Sequence, residues 1–152
     1  MKLSCDVISA LQGKTIATAE SCTGGGIGAV LTAVPGSSKV YKGGIISYTN
    51  EVKIKLLGVD EDILNCDGAV SGKVAEMMAK GVRNALNTDV AVSVTGLAGP
   101  DGDNYGNPVG TVYIGYSDCK TTLSRRFSFA GDRESVRNQS IIAALQIVLE
   151  MN

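Results

Sequence analysis

The order in which patterns follow one another restricts the fold of this chain most. Three short runs, TIATAE (15–20), GIISY (44–48) and DVAVSVT (89–95), are rich in β-branched and small apolar residues. They read as strands. Each leads into a polar, glycine-bearing or capping stretch and then into apolar residues near helical spacing. Strands alternating with helices predict an α/β fold, a three-layer α/β/α sandwich with helices on both faces of a parallel sheet. TVYIGYS and TLSRRFSF flank the turn DCK as an antiparallel hairpin, which makes the sheet mixed but largely parallel.

Capping residues set the expected helix limits. Ser4 is the expected start of a helix reaching about Gln12, stopped by Gly13. Thr23 or Gly24 opens a second, to about Ala33, which Pro35-Gly36 breaks. Asn50 caps a third through Leu57, ended by Gly58, and a turn follows around 60–65. Ser71 caps a longer helix carrying Val74, Met77, Met78, Val82 and Ala85, and Asp132 caps the last. With 152 residues, 44% of them apolar, and no repeat or linker, residues 1–152 are expected to form a single domain.

Absences narrow the chemistry. A net charge of −1 gives no basic footprint for nucleic acid. No apolar run approaches the ~18 residues of a membrane span. MKLSCDVISALQGK reads as a helix rather than a signal peptide, so a cytoplasmic location is expected. Cysteines 5, 22, 66 and 119 form no CxxC pair and are expected to be free thiols. There is no histidine. Ser-His and Cys-His catalysis and histidine-ligated metals are therefore excluded, and neither a metal nor a cofactor is expected. Acid–base chemistry must fall to Lys, Tyr, Cys, a carboxylate or water.

Ligands of such sheets bind at the carboxyl ends of strands. Polar loops at 20–26, 48–53 and 95–110 occupy those ends. Gly24 to Ala29 fits the G-x-G-x-x-A dinucleotide pattern, but Glu20 to Thr23 intervene between strand and glycines, and no acidic residue ends the second strand. A simpler reading has free N–H groups of the helix start, with the Ser21 and Thr23 hydroxyls, receiving a phosphate or carboxylate; an ordinary capped turn fits this loop as well. Without histidine, a serine activated by a lysine is the natural nucleophile pair. Such a lysine must be partly buried or near another cation to be neutral part of the time, and Lys53 is the candidate base, because the dipole of the helix it opens would also depress its pKa. Backbone N–H groups after Thr95 can form an oxyanion hole. Arg133, in the first turn of the last helix, calls for a bound anion or a carboxylate partner.

TAESCTGG, PGSSKVYKGGIISYTNEVKIKLLGV, GAVS, SVTGLAGPDG, PVGTVYIGY and FSFAGDRESVR occur in this order. Together they resemble the C-terminal domain of the CinA family, found alone as the PncC nicotinamide-nucleotide amidases, over roughly residues 15–150. The resemblance implies the stand-alone form, without the N-terminal domain of longer members. It implies hydrolysis of the carboxamide of nicotinamide mononucleotide, a small-molecule nucleotide substrate, without nucleic acid or membrane partners. A homo-oligomer is expected. Carried over by motif, the catalytic set is Ser38, Lys53, Tyr48 and Ser21. The substrate-binding set is Thr23, Gly24, Gly25, Thr95, Gly96 and Arg133. Ser21 and Ser38 both match motif positions; Ser38 is the expected nucleophile, since a serine at a helix start suits substrate positioning. Asp103 and Asn107 depart from the family pattern in the long glycine-rich loop, where they could alter closure or binding. A non-catalytic nucleotide-binding or regulatory module is the alternative, with a dinucleotide-dependent oxidoreductase behind it.

Overall fold

The computed structural model describes residues 1–152. Helix α1 (Lys2–Ala10) precedes strand β1 (Ile16–Glu20) and helix α2 (Gly26–Thr32). A single 3-10 turn at Ser37–Lys39 leads into β2 (Tyr41–Ile46), followed by α3 (Asn50–Leu57), α4 (Glu61–Asp67) and α5 (Gly72–Leu86). The chain ends with β3 (Val90–Gly96), the β4 (Thr111–Ser117) and β5 (Thr122–Ser128) hairpin, and α6 (Arg133–Met151).

The five strands form one sheet in the order β2-β1-β3-β4-β5. β1 pairs parallel with β2 and β3, whereas β4 pairs antiparallel with β3 and β5. Only β4 is reversed, so the sheet is mixed and largely parallel by direction. Helices α1, α2 and α6 cover one face; α3, α4 and α5 cover the other. This is the three-layer arrangement read from the pattern.

Strand periodicity explains why the two faces differ. Val90, Val92 and Val94 point with Ile16 and Ile114 into a core completed by Ile27, Leu31, Val136 and Val148. Ala17, Ala19 and Ala91 point the other way, beneath Val74, Met78 and Val82 of α5. These short side chains let α5 lie close against the sheet. At Gly115 a Cβ would stand 2.2 Å from the Ala75 carbonyl oxygen, so only glycine fits under the helix.

Local boundaries differ from the sequence reading in instructive ways. β2 begins at Tyr41 and ends at Ile46, three and two residues earlier than expected, leaving Ser47 and Tyr48 beyond the strand. A helix, α4, stands where a turn was expected; Asp60 accepts from the N–H groups of Asp62 and Ile63 and starts it. Ser4 caps nothing: it lies inside α1 and donates to the Met1 carbonyl. Thr49, not Asn50, caps α3. Ser71 and Asp132 cap α5 and α6 as read. No helix is long and apolar enough to cross a membrane.

Direction decides where function can sit. β1, β2, β3 and β5 all end on the same side of the molecule. After β1 the chain crosses to the α2 face, and after β2 to the α3–α5 face, so the crevice opens at the end of β1, where the crossings diverge.

Candidate active site

A cavity of about 290 Å³ occupies that crevice. Its wall includes Ser21 and Cys22 after β1, Tyr48 and Asn50 after β2, Lys53 of α3, Thr95 and Gly96 of β3, Asp101 in the long loop, and Arg133 of α6.

At its floor lies a lysine–serine pair. Lys53 is 1% exposed, and its Nζ donates to the Ser47 carbonyl at 2.6 Å and to Ser21 Oγ at 3.1 Å. The two ion pairs of the molecule are Lys73–Asp67 and Arg125–Glu150, so Lys53 has no carboxylate partner. Burial, which penalises the charged ammonium, lowers its pKa from 10.5 to about 8. Of the causes expected from the sequence, burial rather than the helix dipole or a neighbouring cation is the one that lowers it. A buried amine that is neutral part of the time, touching a hydroxyl, can take that hydroxyl's proton. The neighbouring thiol cannot compete as nucleophile, since burial raises the Cys22 pKa to about 11.

Ser38 is not in this cavity. It is exposed on the 3-10 turn before β2, whereas the cavity opens after β2. Six strand residues separate those ends, roughly 20 Å at the usual rise. The expectation that Ser38 pairs with Lys53 is corrected: Ser21 holds that place.

The substrate contacts expected of the Thr23 side chain, Gly24 and Gly25 are likewise corrected, because none of the three lines this cavity and Gly24 is exposed outside it. Thr23 is fully buried, with no hydrogen bond to its hydroxyl. The helix start expected to bind an external anion already holds an internal one. The Glu20 carboxylate accepts from the N–H groups of Gly25, Ile27 and Gly28 at 3.0–3.1 Å. The N–H of Gly24 goes to the Ser21 carbonyl, and that of Gly26 to Thr23. From Gly24 to Gly28 no donor is left for a pyrophosphate, which removes the physical basis of the dinucleotide reading.

Thr95 and Gly96 line the cavity, but the Thr95 hydroxyl donates to the Ala69 carbonyl and the Leu97 N–H to Thr111. Arg133 and Tyr48 meet at the mouth. Arg133 Nη2 donates to the Tyr48 hydroxyl at 3.2 Å and Nη1 to the Gly99 carbonyl at 2.7 Å. Its charge faces no carboxylate within ion-pair distance, which leaves it free for an anion.

Sequence reasoning missed the supports. Arg137 donates to the Cys22 and Thr23 carbonyls; its i+4 spacing from Arg133 signalled a shared helix side. Asp103 and Asn107, the departures from the family pattern, tie the long loop down. The Asp103 carboxylate accepts from the N–H groups of Tyr105 and Asn107 and from Asn107 Nδ2, which also donates to the Val70 carbonyl.

The profile of the CinA C-terminal domain matches residues 2–152. The chain belongs to the CinA C-terminal domain family. A CinA-like protein of Synechocystis is 50% identical over 137 residues, covering 88% of this chain but 33% of that protein. The chain thus spans about one third of the CinA-like relatives it matches first. The nicotinamide-nucleotide amidohydrolase PncC of Pseudomonas putida is 46% identical over 136 residues, 90% of this chain and 85% of that one. Among solved structures, a competence or damage-inducible protein from Enterobacter asburiae superimposes with a TM-score of 0.96 at 30% identity, covering 99% of this chain and 96% of that one. The overall fold described above is therefore that of the CinA C-terminal domain family.

Proposed function

We propose that this CinA-family chain is an amidohydrolase that converts nicotinamide mononucleotide to nicotinic acid mononucleotide and ammonia, with Ser21 as nucleophile and Lys53 as general base. The observation that carries the reading is the contact between a buried, carboxylate-free Lys53 and Ser21 Oγ at 3.1 Å. The likeness to the Pseudomonas putida amidohydrolase supports the substrate.

The proposed steps use that contact. In its neutral form Lys53 accepts the Ser21 proton, and Oγ attacks the carboxamide carbon. The resulting ammonium returns a proton to the leaving nitrogen; the C–N bond breaks and ammonia departs. Water, deprotonated by the same amine, attacks the ester carbon. The ester C–O bond breaks, and Ser21 regains its proton as the acid leaves. The hydrogen bond to the Ser47 carbonyl fixes Nζ throughout. Arg133, held by Tyr48 and Gly99 at the mouth, offers its charge to the substrate phosphate.

The test is ammonia release from nicotinamide mononucleotide by the purified protein and by Ser21→Ala and Ser38→Ala. Turnover lost in Ser21→Ala and kept in Ser38→Ala is the expected result. Ligand binding without ammonia release by the wild type would favour the non-catalytic module.

A further inference from the structure

The turn after β1 leaves a particular pair of N–H groups unused. From Gly24 to Gly28 every backbone N–H is spent, on Ser21, Thr23 or the Glu20 carboxylate. Those of Cys22 and Thr23 reach no backbone or side-chain oxygen of the protein, and the Cys22 N–H meets only its own thiol sulfur. Both follow Ser21 directly, and Cys22 lines the cavity.

Their carbonyls are fixed from the opposite side. Arg137 Nε donates to the Cys22 oxygen at 3.0 Å, and Nη2 to the Thr23 oxygen at 3.2 Å. A trans peptide sets its N–H opposite its C=O, so holding the Cys22 carbonyl toward α6 turns the Thr23 N–H away from α6. The Ser21 carbonyl is held in turn by the Gly24 N–H at 3.1 Å, which fixes the plane carrying the Cys22 N–H. A guanidinium with no carboxylate partner, spending its donors on two successive carbonyls, orients a turn rather than neutralising a charge.

We infer that the Cys22 and Thr23 N–H groups form the oxyanion-stabilising site of the Ser21 reaction, and that Arg137 is the positioning residue that holds them. This rests on the serine reading above. In the loop after Thr95, where oxyanion donors were expected, the Leu97 N–H is engaged with the Thr111 carbonyl; those of Ala98 and Gly99 have no protein acceptor but lack the adjacency to Ser21 that the Cys22 and Thr23 groups have.

Acylation of Ser21 by p-nitrophenyl acetate separates the two claims, because it needs no nucleotide. Arg137→Gln is expected to slow it by ~10²–10³, the usual cost of a lost oxyanion donor. On nicotinamide mononucleotide the same variant is expected to lose kcat by a similar factor with KM within about threefold. Ethylguanidinium added to Arg137→Ala is expected to restore part of kcat, which a general loss of folding would not allow. Wild type acylated at Ser21 with Arg137→Gln equally fast would overturn this inference alone. Wild type never acylated at Ser21 would overturn the serine reading and this inference together. A rise in KM at unchanged kcat would make Arg137 a substrate contact and also overturn it.

Discussion

Lys53 carries an ionisation that touches both rate and stability. With its pKa near 8, about one-tenth of the amine is neutral at pH 7. If neutral Lys53 is the base, kcat/KM should rise about tenfold per pH unit below 8 and level off above it. Lys53→Arg should be inactive at every pH, since its guanidinium stays charged. Stability moves with the same group. Its folded pKa lies below the ordinary 10.5, so between pH 8 and 10.5 the unfolded chain binds more protons and stability rises with pH. Urea titrations should show wild type gaining on Lys53→Met across that window, by at most about 3 kcal/mol, with no relative change below pH 7. A flat difference through the window would place the Lys53 pKa elsewhere. Lysine and serine were both legible as residue types; which serine was not. Ser21 at a helix start read as a substrate-positioning group, which moved the nucleophile to Ser38; Ser38 instead lies before β2, an edge strand that runs from Tyr41 to Ile46 before reaching the cavity side.

Among elements, α2 and the long loop hold the cavity wall. α2 begins on Gly25, whose φ of 96° suits glycine, and its N-terminus is neutralised by Glu20, 2% exposed at the end of β1. Glu20→Ala would leave three helix-start N–H groups without their acceptor. It should cost about 3 kcal/mol or more in urea unfolding and lower kcat, since Ser21 is the next residue. A loss under 1 kcal/mol would mean that another acceptor takes over. Asp103→Ala should cost about 1–2 kcal/mol and raise KM, because the loop carrying Gly99 and Asp101 would lose its internal ties. KM unchanged would separate that loop from the substrate. The sequence showed the glycines of both elements but not their partners. A buried carboxylate on a helix start or an aspartate gathering a loop depends on contacts that spacing alone does not encode. α4 was legible in principle: Asp60, two acidic residues in its first turn and Gly68 past its end are helix signals, passed over because the run is short.

For the whole molecule, strand direction assembles the site. Four strands ending on one side bring together residues from positions 21 to 133, and reversing β4 returns β5 so that it delivers Arg133 to the same crevice. Alternating patterns announced that architecture; the crossing at β1, and with it the convergence of Ser21 and Lys53 from 32 residues apart, appears only once the sheet order is known. The most direct measurement is peptide mass spectrometry of enzyme quenched during turnover of nicotinamide mononucleotide. An acyl group of nicotinic acid mononucleotide on the peptide containing Ser21 is the predicted result. The same group on the peptide containing Ser38, or ammonia released with no covalent species on any peptide, would contradict the account.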